Sequence, residues 1–148
     1  MSELKQRLSD EMKAAMRAKA KLRLATIRMM LAELKRIEVD ERIELDDARV
    51  LATLDKMQKQ RRDSIAQYEA AGRDDLADIE KAELLVIKEF LPQPLSEAEL
   101  AAMVDAAVSN SGAQGMQDMG KVMALVKPQA QGRADMGAIS QLVKARLT

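Results

Sequence analysis

The residues best suited to chemistry lie in the last third of the chain, in two short segments that contain glycine. These segments are Gly120-Lys121 and Gly132-Arg133-Ala134-Asp135. Gly132 permits a tight turn or a close backbone approach to a ligand, and Asp135 can cap a helix whose first N–H groups remain donors. Arg133 could then hold a phosphate through two hydrogen bonds. The alternative is structural: Gly132 and Asp135 simply end one helix and start the next. Gly120 costs about 1 kcal/mol relative to Ala inside a helix, and close helix packing is the readier explanation for it.

Five basic residues in the last 57 positions are candidates for RNA contacts. They are Lys121, Lys127, Arg133, Lys144 and Arg146. Five acidic residues balance them, so binding through a few phosphates would be weak and sensitive to salt. A second basic stretch, Lys13 to Arg36, has eight basic residues and one acid, and it could add to such a surface. The alternative for that stretch is a solvated face paired with neighbouring acids.

The composition removes most catalytic chemistry. The chain has no Cys and no His, which excludes a thiolate nucleophile, an imidazole base and a Cys/His zinc site. It contains neither a GxxxxGK[ST] phosphate loop nor a GxGxxG dinucleotide motif. The residue types of a Ser–Lys pair are present in Ser64, Ser140, Lys121 and Asp135, but no motif places them together. We therefore expect no catalytic residues, no cofactor and no metal. With one Tyr, one Phe and no Trp, recognition of single-stranded nucleic acid by stacking is disfavoured as well.

The first 91 residues are predicted to form four helices. Apolar residues at helical spacing follow Ser2, a possible N-cap, and a second apolar stripe starts near Lys21. A third helix follows a cap at Asp46 or Asp47, with the segment 58–62 largely outward, and it should stop at Gly72. Asp74 is predicted to cap a fourth helix. The last two helices, joined by a short turn, form a long antiparallel hairpin.

The composition changes at Leu91-Pro92-Gln93-Pro94, and we predict a domain boundary there. Residues 1–91 would form a charged helical domain, and residues 92–148, with few charges and five of the six glycines, a small three-helix domain. Ser96 and Glu99 form a capping box for the first of these helices. The second is predicted from Met116 to Ala130, bent or ended by Pro128, and Asp135 caps the third. The expected fold class is all-α.

The compartment is predicted from what the sequence lacks. No apolar run approaches the ~20 residues that cross a bilayer, and the segment after Met1 has no continuous apolar core of the kind found in a signal peptide. We therefore expect no membrane partner and a cytoplasmic location.

Six segments carry a resemblance to a known family. They are LRLATIRMM (22–30), KQRRDSIAQYEAAGRDDLA (59–77), FLPQPLSEAE (90–99), DMGKVM (118–123), GRAD (132–135) and the stretch 140–147. Together they resemble the YqeY family over essentially the whole chain. Two positions depart from the pattern: Ala20 stands where a polar residue is frequent, which removes a possible N-cap, and Gly115 stands where Ser is common.

The last 57 residues also resemble the tail domain of GatB, a subunit of the tRNA-dependent amidotransferases. That resemblance implies an accessory, non-catalytic protein that binds tRNA or other RNA of the translation machinery through its C-terminal domain. A helical adaptor that binds a protein partner through the N-terminal helices remains an alternative. A third is carbon–nitrogen ligase activity with glutamine as amido-nitrogen donor, although nothing in the chain resembles the GatB catalytic domain.

Overall fold

The computed structural model describes residues 2–148, which form seven α-helices and one short 3-10 turn, with no β-strand among them. The prediction of an all-α protein is confirmed. The helices belong to two compact units, one ending at Leu91 and the other beginning at Pro92. Each unit has a hydrophobic core of its own.

The N-terminal unit consists of four helices. They are α1 (Glu3–Arg17), α2 (Lys21–Glu41), α3 (Asp47–Ala70) and α4 (Asp74–Lys88). Ser2 caps α1 by accepting from the Lys5 N–H at 3.1 Å, and Asp46 caps α3 by accepting from the Arg49 N–H. The sequence predicted Ser2 as a possible N-cap of α1 and Asp46 or Asp47 as the N-cap of α3. At Ala20, in contrast, no side chain caps α2.

The turn between α3 and α4 corrects one sequence prediction. Gly72 adopts φ +72°, as a helix-ending glycine does, and α3 and α4 pack against each other. The Arg73 N–H donates back to the Tyr68 carbonyl at 2.8 Å. Arg73 is the N-cap residue of α4, and its side chain makes no capping hydrogen bond. Asp74, predicted as the cap, is instead the first residue of α4. There the positive end of the helix dipole stabilises its carboxylate.

The core of this unit is mostly aliphatic and also contains the buried Phe90. The fully buried large side chains are Leu8, Ile27, Met30, Leu34, Leu45, Val50, Leu54 and Ile87.

Asp47, the first residue of α3, accepts hydrogen bonds from the Ser2 hydroxyl and the Leu4 N–H, so it connects the start of α1 to the start of α3. These two donors, the hydroxyl first, lower the pKa of Asp47 below its usual range.

A polar cluster between α2, α3 and α4 contradicts part of the prediction that residues 58–62 are largely outward, which holds for the exposed Gln60 and Arg62. Gln58 is 6% exposed. The Arg61 side chain is 14% exposed, and its Nε lies 2.8 Å from Glu83 and 3.1 Å from Glu80 on α4. Its Nη2 donates to the sulfur of Met29 on α2 at 2.9 Å. Arg61 therefore connects three helices from within the unit. We call Met29, Arg61, Glu80 and Glu83 the Arg61 cluster.

The C-terminal unit has three α-helices and the 3-10 turn. They are α5 (Glu97–Ser111), the turn Met116–Asp118, α6 (Met119–Ala130) and α7 (Met136–Leu147). Val104, Val122, Val126, Ile139 and Val143 are its most completely buried large side chains. The predicted capping box is present, with the Glu99 N–H donating to Ser96 and the Ser96 N–H donating to Glu99.

The second helix of this unit starts later than the sequence predicts and ends at Ala130, as predicted. Residues 116–118 form a 3-10 turn, so α6 begins only at Met119. Pro128 does not end α6, which continues to Ala130. Because Pro128 is exposed and lies in the last turn, the hydrogen bond that its missing N–H would make is lost only at the end of the helix, where water can solvate the carbonyl left free.

Candidate nucleic-acid interface

The Gly132–Asp135 segment is a tight turn between α6 and α7. Gly132 is buried and adopts φ +75°, the left-handed region that favours glycine. The N–H groups of Arg133 and Ala134 both bond to the carbonyl of Ala130, which completes the end of α6. Asp135 accepts from the Ala138 N–H at 3.1 Å and caps α7. These contacts are those of the structural alternative, in which the segment ends one helix and starts the next.

Arg133 holds the chain that follows Pro92. Its Nε donates to the Gln93 carbonyl at 3.0 Å, and its own carbonyl accepts from the Leu95 N–H at 2.9 Å. Its charge also adds to the lowering of the Glu99 pKa, for which the Ser96 N–H and hydroxyl are the larger causes. Sequence reasoning identified Arg133 but missed Gln93 and Leu95, since nothing in their types marks them as partners.

Two of the other predicted cations have an acidic partner. Lys121 lies 3.7 Å from Asp118, three residues earlier, and Arg146 lies 2.6 Å from Asp105 on α5. Lys127 and Lys144 are exposed and have no hydrogen-bond or ion-pair partner for the side chain in the part of the chain that the structure describes. These two lysines are therefore the charges of this unit most available to an anionic ligand.

The five cations are not gathered on one face. At about 100° per residue, Lys121 and Lys127 lie about 120° apart around α6, and Lys144 and Arg146 about 160° apart around α7. The predicted set is therefore distributed around the unit. Among the five, Lys127 and Lys144 are the two for which the described residues provide no acidic partner.

Gly120 corrects the expectation of close helix packing. It is the second residue of α6 and is exposed, and a Cβ placed on it would meet no atom within 4 Å. Its φ is not in the left-handed region either. Neither packing nor backbone conformation requires a glycine here. The close packing expected from the sequence therefore does not account for Gly120.

We predict that Gly120→Ala stabilises the C-terminal unit by about 0.5 kcal/mol, because alanine reduces the entropy of the unfolded chain and meets no obstacle in the folded one. Gly112→Ala is the matched control: it has equal space around its Cα but φ +68°, so it should destabilise by about 1 kcal/mol. Hydrogen exchange of α5 and α6 peptides measures both. A Gly120→Ala protein less stable than wild type would contradict this assignment.

Comparison with known proteins assigns the chain to a family. The family described as Yqey-like protein matches residues 5–147. Curated relatives include three yeast proteins named "Altered inheritance of mitochondria protein 41, mitochondrial". The protein of Lachancea thermotolerans is 40% identical over 106 residues, covering 70% of this chain and 54% of its own length. That of Eremothecium gossypii is 36% identical (80% and 67% covered), and that of Saccharomyces cerevisiae 31% identical (74% and 63% covered).

The protein is thus an all-α member of the Yqey-like family. The match runs through both of its helical units, as the sequence resemblance predicted. The chain spans about half the length of the curated relatives it matches, with 54%, 51% and 52% of three of them covered.

The predicted cytoplasmic location is wrong by this comparison, because the relatives are named as mitochondrial proteins. The prediction rested on the absence of an apolar leader and of a spanning segment. Both observations bear on passage into or through a bilayer, and neither distinguishes the cytosol from the aqueous interior of an organelle. In the described residues no helix is long and apolar enough to cross a membrane.

Proposed function

We propose that this protein is an accessory RNA-binding protein that contacts the phosphates of tRNA or a related structured RNA through its C-terminal unit. The observation that carries the proposal is the pair Lys127 and Lys144, exposed and without an acidic partner in a described unit whose other cations are engaged. The choice of tRNA comes from the resemblance of residues 92–148 to the GatB tail. The unit's balanced charge predicts modest affinity that depends on salt.

The test is retention of a tRNA pool by the full chain at about 50 and 200 mM salt; because the relatives are named mitochondrial, the pool should include mitochondrial tRNA. We expect Lys127→Gln/Lys144→Gln to weaken binding at least about tenfold and to reduce the log–log salt slope by roughly 1.4 to 1.8, the effect of two lost phosphate contacts. Lys56→Gln/Lys88→Gln removes the same charge from exposed positions of the N-terminal unit and should change little.

Two outcomes would contradict the proposal. One is equal retention of tRNA and of heparin, an unrelated polyanion, by the wild-type protein. The other is an equal loss of binding in the two double variants, which would show that only total charge matters. Gly120→Ala adds a further measurement: weaker tRNA retention by a protein of unchanged or greater stability would assign Gly120 to the contact.

A second candidate function is a protein-interaction adaptor, favoured by exposed apolar side chains on the N-terminal helices. Val39 on α2 is 62% exposed, and Ile79 and Leu85 on α4 are 52% and 67% exposed. Ile79 and Leu85, six residues apart, lie about 120° apart around α4, so each would give a partner a separate apolar contact, and isolated exposed apolar residues are common. Affinity capture from an extract treated with nuclease separates the candidates, since a protein partner of the adaptor survives the treatment and an RNA-bridged one does not.

A further inference from the structure

The corner between α1 and α2, residues 13–22, is a cationic surface that the structure does not neutralise. Lys13, Arg17, Lys19 and Lys21 are exposed, and none has an ion-pair partner in the described chain. The sequence contains no acid between Glu11 and Glu33. Arg23, the next basic residue along α2, is by contrast paired with Glu11 and Glu89. The four cations of the corner therefore act as one local positive field.

The same corner exposes two large apolar side chains. Met16 is 48% exposed and Leu22 50% exposed, although nearby positions of the same helices, such as Ala15 and Ile27, are almost completely buried. Only three residues separate α1 from α2, so the helix ends that carry Met16 and Leu22 lie close together. Exposed apolar side chains next to cations in the sequence suit a partner that offers both anionic groups and an apolar region, because a solvated charged face needs neither Met16 nor Leu22.

The backbone adds to the positive potential. Lys19 adopts φ +57° in the turn, and Ala20, the N-cap residue of α2, supplies no side-chain cap. The first N–H groups of this long helix, 21 residues, are therefore left to solvent or to an external acceptor. These N–H groups lie at the same corner as Lys19 and Lys21.

We propose that the α1–α2 corner docks on the surface of an anionic phospholipid bilayer. Met16 and Leu22 enter the boundary between headgroups and acyl chains, and the four cations lie among the lipid phosphates. An RNA would satisfy the cations, but it has no acyl region to receive Met16 and Leu22, which carry neither an aromatic ring to stack on a base nor a strong hydrogen-bonding group. Docking on the surface requires no spanning helix, and it departs from the sequence expectation that no membrane is involved. It is independent of RNA binding by the other unit.

Flotation of the full chain with vesicles tests the proposal, using phosphatidylcholine alone and phosphatidylcholine with about one third phosphatidylglycerol. Wild-type protein should float only with the anionic vesicles, and less so at high salt. Lys13→Gln/Lys21→Gln should reduce the partition coefficient about 25-fold, since each basic residue near an anionic surface contributes about fivefold. Lys127→Gln/Lys144→Gln, the same charge change in the other unit, should leave flotation unchanged.

A second pair of substitutions separates lipid from other anions. Met16→Gln/Leu22→Gln keeps every charge and should weaken flotation about tenfold, because the apolar contact with the acyl region is lost. Its tRNA retention should equal that of wild type. The residues changed in the two corner variants, Lys13, Lys21, Met16 and Leu22, are exposed. Both variants should therefore keep the helical circular dichroism and melting behaviour of wild type.

Three results would overturn the inference. The first is flotation that does not depend on anionic lipid, or its complete absence. The second is unchanged flotation of Met16→Gln/Leu22→Gln, which would identify a general polyanion site. The third is loss of tRNA retention, with unchanged flotation, in Lys13→Gln/Lys21→Gln, which would make the corner an RNA contact.

Discussion

Replacing Arg61 by alanine should lower the free energy of unfolding of the N-terminal unit by about 2–3 kcal/mol. The guanidinium lies within 3.1 Å of both Glu80 and Glu83, whose side chains are only 21% and 20% exposed. Without it, two carboxylates one turn apart on α4 remain in a poorly solvated place with no cation between them, and Met29 loses a polar contact. The cost of the unpaired charges exceeds the value of the bonds themselves.

Urea unfolding followed by circular dichroism and by the fluorescence of Tyr68, the single tyrosine, which lies on α3, measures this loss. Arg36→Ala is the control. Arg36 also bonds to two acids, Glu33 and Asp40, but within its own helix and with its side chain 58% exposed, so no measurable loss is expected. Equal effects of the two substitutions would refute the role of the Arg61 cluster.

A compensating substitution tests the reason as well as the size of the effect. In the Arg61→Ala background, Glu80→Gln/Glu83→Gln removes the uncompensated charge and should restore part of the lost stability. No recovery would mean that Arg61 stabilises through the packing of its aliphatic stem alone.

The second large effect is expected for Glu38→Gln, with a loss of about 1 kcal/mol at pH 7. The Glu38 side chain on α2 is 9% exposed. It accepts from the Lys5 ammonium on α1 at 2.5 Å and from the Leu45 N–H in the loop before α3 at 3.0 Å. The bond from Lys5 and then that from Leu45 lower the pKa of Glu38, so its ionised form stabilises the fold.

Because the pKa of Glu38 is lowered in the folded protein, the sign of the pH dependence of its contribution to stability is fixed. A carboxylate with a lowered folded pKa contributes its full stability above the unfolded pKa, near 4.3 for glutamate, and loses it as the pH falls through the folded pKa. The stability difference between wild type and Glu38→Gln should therefore be constant from about pH 7 to 6 and shrink towards pH 3. Thermal unfolding across this range measures it. Glu41→Gln, at an exposed residue paired with Arg49, is the control. A stability difference for Glu38→Gln that persists at pH 3 would argue against the carboxylate as its source.

Local signals in the sequence were sufficient where a structural feature depends on a few neighbouring residues. Ser2, Ser96 and Asp135 cap the helices they precede, and Gly72 takes the left-handed conformation at the end of α3. Each of these depends on a side chain reaching an N–H three residues away, or on one φ angle.

Tertiary relations were harder to predict, and the Arg61 cluster shows why. Gln58 and Arg61 continue the spacing of Leu54, Ile65 and Tyr68 along one stripe of α3, and this was the available signal that they face inward. Polarity argued for the opposite, because a buried Arg is tolerated only when acids on another helix meet it. That condition depends on how α4 is placed against α3.

The candidate site was predicted by residue type, and its geometry was not. Arg133 and Arg146 are both basic, but one bonds to a carbonyl forty residues earlier in the chain and the other to Asp105 on another helix. Such long-range partners leave no trace in local spacing. Gly120, for which packing was expected, lies open to solvent. Val122, two residues later and so on the opposite side of α6, is the residue that faces the core.

The bonds between Arg133 and the segment 93–95 also determine where the C-terminal unit can be cut from the chain. A fragment starting at Ser96 would retain all three helices and the capping box, yet it would remove both backbone partners of Arg133 and the partly buried Leu95, which packs on the core. Pro92 and Pro94 restrict the unfolded ensemble of this segment, which lowers the entropy lost when it is ordered. The smallest piece suited to isolated expression therefore starts at Pro92, several residues before its first helix.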